Sequence, residues 1–208
     1  MIYSPLRYPG GKGKLAPFMG FMLEKMNIKN GTYVEHFAGG AGVALMLLLE
    51  GYVDNIVIND YDKAIYSVWR AIITESENLI DRITQTDVSV QEWGKQKEIY
   101  TTDNTKYSLD LAFATFYLNR TNRSGILKGG PIGGTNQTGN YKINARYNKE
   151  ELIKRIRKIA AKKSNIKVYN KEVVSFIEKI LPTYGKDTLV YFDPPYYNKG
   201  HELYKNFF

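Results

Sequence analysis

Two acidic side chains, Asp193 and Asp60, close short β-type runs, a placement suited to handling a ligand. Asp193-Pro194-Pro195-Tyr196, with Tyr197 beside it, closes the run Thr188-Leu-Val-Tyr-Phe. An Asp at the end of a buried parallel strand faces the crevice at the carboxyl edge of the sheet. The two prolines fix φ and remove N–H donors, leaving rigid carbonyls, and Tyr196 adds a flat aromatic face. A carboxylate, a fixed carbonyl and an aromatic plate fit an extruded planar base that bears an exocyclic amine. A proline-rich turn with a purely structural role requires neither Asp193 nor Tyr196.

The second feature is the glycine-rich run Glu35-His-Phe-Ala-Gly-Gly-Ala-Gly42 at the end of the first β-type run. Glycines at a strand-to-helix turn let a ligand approach the backbone, and the helix N-terminus offers N–H groups. Structural turns also produce such runs. The third is Asp60, some twenty residues on, where a carboxylate can accept both hydroxyls of a ribose or can cap the next helix. Together the two features point to an adenosine-type cofactor. Leu6-Arg-Tyr-Pro-Gly-Gly-Lys12 lacks the G-x-x-x-x-G-K-[ST] spacing of a phosphate loop, which disfavours a nucleotide triphosphatase.

These residues need elements to hold them. Thr32–Ala38, Asn55–Asp60, Ile166–Tyr169 and Thr188–Asp193 read as strands, rich in β-branched and aromatic residues. Helices are predicted from Ala41 to Leu49, Asp62 to about Ile73, Ser89 to Ile99, Ser108 to Leu118, Lys149 to Lys162 and Glu172 to Leu181. Strands alternating with helices imply βαβ units and a mostly parallel α/β sheet. Residues 75–148 interrupt the alternation and are expected to form an inserted, mainly helical lobe. Residues 1–74 and 149–208 then make up the cofactor-binding and catalytic domain.

The 208 residues carry 29 Lys and Arg against 21 Asp and Glu, a net charge of +8. Between Asn119 and Lys163 twelve basic residues face only Glu150 and Glu151, so this segment carries +10 and the remainder −2. Such a local positive field suits docking on phosphates, although a solvated helix face would also account for Lys149–Lys163. The Gly- and Asn-rich stretch from Leu118 to Arg146 is expected to be a loop or loose hairpin exposing Arg and Asn. Cysteine is absent and histidine is limited to His36 and His201, so no metal site is expected. The amino terminus lacks the apolar stretch of a secretory signal, and no run of about 18 apolar residues suggests a membrane span. A soluble cytoplasmic protein is the expectation.

LRYPGGK, EHFAGGAG, IND at 58–60 and DPPYY, in this order from about Leu6 to Phe208, resemble the Dam-type (D12 class) DNA adenine-N6 methyltransferases. LNRTNRSG and NYKINARYN are similar to that family's DNA-contacting region. The resemblance implies a Rossmann-like sheet that binds S-adenosyl-L-methionine, an inserted DNA-recognition lobe, and adenine N6 in double-stranded DNA as acceptor. It implies Tyr8 and Lys12 at the methionine end of the cofactor, with Glu35, Phe37 and Gly39 in the same pocket. It further implies Asp60 on the ribose, Glu172 near the adenine, and Asp193 at the junction of cofactor and target amine. Asp193, Pro194 and Tyr196 are the expected catalytic set. Arg120, Arg123, Lys128, Lys142 and Arg146 are the expected DNA contacts, in a restriction–modification or phage setting.

Three departures from the family pattern stand out: His36 where proline is usual, Ala41 within the glycine run, and Tyr8 in place of tryptophan. His36 is expected to be a packed or turn histidine rather than a base. The family continues past DPPY with further strands, so strand four is expected to present an apolar edge, covered by a second copy or a complementing chain. A catalytically inactive DNA-binding remnant or fragment of such an enzyme is the rival expectation.

Overall fold

Four of the runs rich in β-branched residues pair as one sheet. The computed structural model describes residues 2–8, 13–102 and 105–194. In it β1 (Thr32–Glu35), β2 (Asn55–Asn59), β3 (Ile166–Tyr169) and β4 (Thr188–Tyr191) are all parallel, in the order β3-β2-β1-β4. The helices are α1 (Ala16–Lys25), α2 (Gly42–Leu49), α3 (Lys63–Thr74), α4 (Ser76–Gln85), α5 (Val90–Thr102), α6 (Leu109–Thr121), α7 (Lys149–Ala160) and α8 (Val173–Lys179). The chain divides into two units: residues 1–4, 10–62 and 162–208 form one, residues 5–9 and 63–161 the other. The helical unit therefore takes in α3, α7 and a short piece near the amino terminus, besides the expected 75–148.

In the sheet unit, Val34 pairs with Val57 on one side and Val190 on the other. This row packs on Phe176 of α8, with Tyr169, Ile180 and Tyr184 around it. Alternation then sends Tyr33, Glu35, Ile56 and Ile58 to the opposite face, where they are buried against the layer containing α2. The sequence of α2, GVALMLLL, is apolar all round, as suits a helix buried on several sides, and α1 packs against it. The strand order reverses at β1, whose neighbours are β2 and β4, so the crevice between β1 and β4 is the topological switch point.

In the helical unit, α6 is the central element. Leu111 through Asn119 are buried without interruption, and Leu111, Ala114 and Leu118 share a core with Ala64 and Tyr100. Ser108 caps α6 by accepting from Leu111 N at 3.0 Å. Asn148 caps α7 by accepting from Glu151 N at 3.0 Å, with Glu150 and Glu151 in its first turn and Arg157 and Lys158 in its last, as the helix dipole favours. Two helices, α1 and α4, fall where none is predicted, and α4 belongs to this unit. Its apolar residues Leu79, Ile80 and Ile83 lie on one face and are buried.

The stretch after α6 departs from expectation. Helix α6 runs on to Thr121, and Asn119 and Asn122 are buried rather than exposed. Asn119 accepts from Arg7 N at 2.7 Å and donates to Arg7 O at 2.7 Å and to Gly125 O at 3.1 Å. Asn122 donates to the carbonyls of Ile126 and Leu127 and accepts from the Trp93 indole at 2.6 Å. These amides replace backbone partners that an irregular loop cannot supply itself. Arg7 is thereby fastened into the helical unit.

Gly125 sits at φ +77°, and a Cβ there would lie 2.5 Å from Arg7 O. Gly51 sits at φ +79° with nothing within 4 Å. Gly125→Ala should therefore cost about 3 kcal/mol, the sum of left-handed strain and a backbone clash, whereas Gly51→Ala should cost only about 1 kcal/mol. Urea unfolding of the two variants checks this; equal losses would show that Arg7 moves aside freely.

Candidate active site

The carboxyl edge of the sheet gathers the expected residues of the sheet unit by register alone. Glu35 is level with Ile58 of β2 and with Tyr191 of β4. Two residues further, Asp60 and Asp193 therefore stand on the two sides of Phe37. All three carboxylates belong to the face that carries α2.

Glu35 is buried, and its Oε2 accepts from Ala44 N at 3.1 Å in the first turn of α2. Burial is the main cause that pushes its pKa up to about 8. The Ala44 N–H opposes that shift, and the charges of Asp193 and Asp60 add to it. Asp60 accepts from Gly39 N at 2.8 Å through Oδ2 and from Asp62 N at 2.9 Å through Oδ1. The second bond is an Asx turn, so the side chain shapes its own loop besides tying down the glycine turn. Burial raises its pKa to about 7, with Asp62 adding and the two N–H donors subtracting. Each Asp60 oxygen keeps a second lone pair, enough to accept from a vicinal diol.

The turn that follows β1 is tight. Gly39 has φ +45° and Ala41 φ +46°, ψ +36°, so the residue before α2 is left-handed although it bears a Cβ. The backbone of Gly13, where the description resumes after the Pro-Gly-Gly-Lys run, lies 3.8 Å from where a Cβ on Gly42 would be. Gly13 thus lies against the start of α2. Lys12 and Tyr196 lie outside the described residues. Tyr8 belongs to the helical unit, next to the clamped Arg7.

The opposite face is a polar and aromatic brace. His36 is 2% exposed; its Nδ1 accepts from Asn59 Nδ2 at 3.1 Å, and its ring meets Phe37, Phe176 and Phe192. Burial lowers its pKa to about 4, against a raising charge from Glu172. It is a packed neutral histidine, as expected. Asn59 also donates to Lys171 O at 2.9 Å and accepts from Lys171 N at 2.9 Å, while its own carbonyl accepts from Ala38 N at 3.1 Å. Asn170 donates to Asp60 O at 2.7 Å and to Tyr61 O at 3.0 Å. Asn59 and Asn170 thus knit together the loops after β1, β2 and β3. Neither was singled out in the sequence, although Asn59 within a buried apolar run was a visible anomaly. Glu172 accepts from Val174 N and Ser175 N and caps α8, and those bonds hold its pKa down.

Of the expected DNA contacts, Arg123, Lys128, Lys142 and Arg146 are exposed. Arg120 is half-buried and donates through Nε to Arg146 O at 2.8 Å, so it holds the loop rather than projecting from it. Burial lowers its pKa to about 10, and Arg7, Arg155 and Arg146 push the same way. Four guanidinium groups therefore share one region of the helical unit, including Arg7 and Arg155, which sequence reasoning passed over. Lys142 donates to Gln137 O at 2.6 Å and Gly139 O at 3.2 Å.

The raised Glu35 pKa has a sign. An unfolded glutamate titrates near 4.3, whereas the folded group titrates near 8. Between these values the folded state holds a proton that the unfolded state has lost, so this group's contribution to stability declines as pH rises and levels off above about 8. Glu35→Gln keeps an acceptor for Ala44 N and cannot ionise. Thermal melts from pH 5 to 9 should show the variant gaining on wild type across that range; parallel curves would show that Glu35 ionises normally.

Among the described residues, no group of three or more His, Cys, Asp or Glu is placed to hold a metal ion, and no helix is long and apolar enough to cross a membrane. A search of the curated proteins finds no match. The sequence model of the D12 class N6 adenine-specific DNA methyltransferases matches residues 8–208. With a parallel sheet in the Rossmann-like manner of methyltransferases, the chain belongs to the D12 class of N6 adenine-specific DNA methyltransferases.

Proposed function

We propose that the chain uses S-adenosyl-L-methionine to methylate N6 of an adenine extruded from double-stranded DNA. The observation that carries this reading is the gathering of Glu35, Asp60 and Asp193 on one face at the switch-point end of the sheet. Burial and the charges of Asp193 and Asp60 disfavour ionisation of Glu35, a penalty that a cation relieves, and the cofactor brings a sulfonium and an ammonium. Asp60 retains lone pairs for the ribose hydroxyls, and the turn at Gly39 lets the backbone approach. The donor set thus fits the cofactor.

When bound, the cofactor supplies a methyl group on a sulfonium with a neutral thioether as leaving group. The protein's part is positioning and charge. N6 of adenine is a poor nucleophile because its lone pair is delocalised into the ring. The Asp193 carboxylate and the Pro194 carbonyl would accept its two N–H bonds, favouring a pyramidal nitrogen with the lone pair turned toward the methyl. Negative charge at Asp193 also stabilises the positive charge that develops on N6. Tyr196 would stack on the flipped base, worth about 1–3 kcal/mol. His36, buried and neutral in its brace, takes no part in proton transfer.

In the helical unit the exposed Arg123, Lys128 and Arg146, with the +10 segment around them, would hold the DNA phosphates, and an Arg there could read guanine in the major groove. Arg120 contributes by fixing the loop.

Tritium-methyl transfer and DNA retention, measured side by side, test the reading. Asp193→Ala should lower transfer to unmethylated DNA by at least about a thousandfold, as expected for a residue that contacts the reacting atom, with retention close to wild type. Equal loss of both would assign Asp193 a structural role. Retention by a wild-type chain that transfers no label would favour the inactive DNA-binding remnant.

A further inference from the structure

The Tyr33 hydroxyl is buried, and among the described residues it has no hydrogen-bond partner. Tyr33 lies on the α2 face, two residues before Glu35 and level with Leu189 of β4. Burial pushes its phenol pKa up, and the charges of Glu35, Tyr191 and Asp193 push the same way. All three groups lie toward the carboxyl ends of β1 and β4, and none of them lies on β2 or β3. Tyr33 thus shares the α2 face with Glu35, one step below it along β1, on the strand that borders the switch point.

A neutral phenol has one proton to donate and lone pairs to accept. Left unpaired in a dry interior it is unfavourable, and phenylalanine would fill nearly the same volume without that cost. The carboxylates above it suit the ammonium of an amino acid. The group bonded next to that ammonium carbon is a carboxylate, which needs a donor of its own, and the positive end of α2 lies on the same face.

We propose that Tyr33 is a ligand-binding residue at the floor of the crevice, donating its O–H to the carboxylate at the amino-acid end of the methyl donor. This rests on the reading of the chain as using S-adenosyl-L-methionine. The Tyr33 hydroxyl, unpaired among the described residues, becomes satisfied on binding. Its removal should therefore leave the free protein as stable or more stable while weakening the complex. A residue with a merely structural role would not give effects of opposite sign.

Tyr33→Phe separates the outcomes. Calorimetric titration with S-adenosyl-L-methionine should show affinity about tenfold weaker than wild type, the loss of about one hydrogen bond to a charged acceptor. Affinity for 5′-methylthioadenosine, which keeps the nucleoside and lacks the amino-acid part, should stay unchanged. The ligand-free thermal midpoint should be unchanged or up to about 4 °C higher. Unchanged affinity for S-adenosyl-L-methionine, equal weakening of both ligands, or a lowered midpoint would each overturn the assignment. A wild-type chain that binds no S-adenosyl-L-methionine would instead remove the cofactor reading itself, and this inference with it.

Discussion

The site depends on the register of β1 between β2 and β4. Side chains along a strand alternate with a period of two, so a slip of β1 by one residue would carry Tyr33 and Glu35 to the α8 face and bring His36 to the α2 face, away from the levels set by β2 and β4. The register is pinned from both ends. At the amino edge Thr32 N donates to Asp187 O at 2.9 Å, and Gly31 O accepts from Asp54 N and Asn55 N. In the middle the row of Val34, Val57 and Val190 closes over Phe176. At the carboxyl edge Asn59 and Asn170 tie loop to loop. Apolar packing selects the register, and buried amides then hold the loops that the register has aligned.

The two faces divide the work. The α2 face gathers Glu35 and Asp60 in a place where burial makes ionisation costly and raises both pKa values. The α8 face keeps its one titratable ring neutral and wedged among aromatics, so it serves as a rigid backing. The helical unit follows a comparable economy. Its interior asparagines Asn119 and Asn122 spend their amides on backbone groups, while its basic side chains divide between loop support, as at Arg120, and solvent. The exposed ion pairs Arg155–Glu151 at 3.0 Å and Arg157–Glu77 at 3.6 Å contribute little stability, so that surface remains tunable for charge.

Much of this was legible in the residues. Ile166–Tyr169 matches its predicted strand end to end, because Ile-Lys-Val-Tyr is short, β-branched and bounded by polar residues. Strands one and four were read as running to Ala38 and Asp193 but end at Glu35 and Tyr191. There the chain leaves the ladder: Ala38 N turns to Asn59 O, and Gly39 takes positive φ. The parallel sheet and the acidic strand ends were readable because each is a local pattern. Helix α4 was missed because only three apolar residues, Leu79, Ile80 and Ile83, stand in an otherwise polar run. The roles of Asn59, Asn119 and Gly125 were hidden for a different reason. Each acts across a long chain separation, Asn119 on Arg7 and Asn59 on Lys171, and no local propensity records such a partner. The same holds for Arg120, whose type suggests a DNA contact while its neighbour's carbonyl claims it.

The central claim is that the α2 face of the carboxyl edge receives the methyl donor. A crystal structure of the chain with S-adenosyl-L-methionine tests it most directly. The account predicts density on that face, with the ribose hydroxyls at Asp60 and the sulfonium between Glu35 and Asp193. Density on the His36 and Phe176 side of the sheet, or a carboxyl edge closed by the protein's own side chains at saturating ligand, would contradict it.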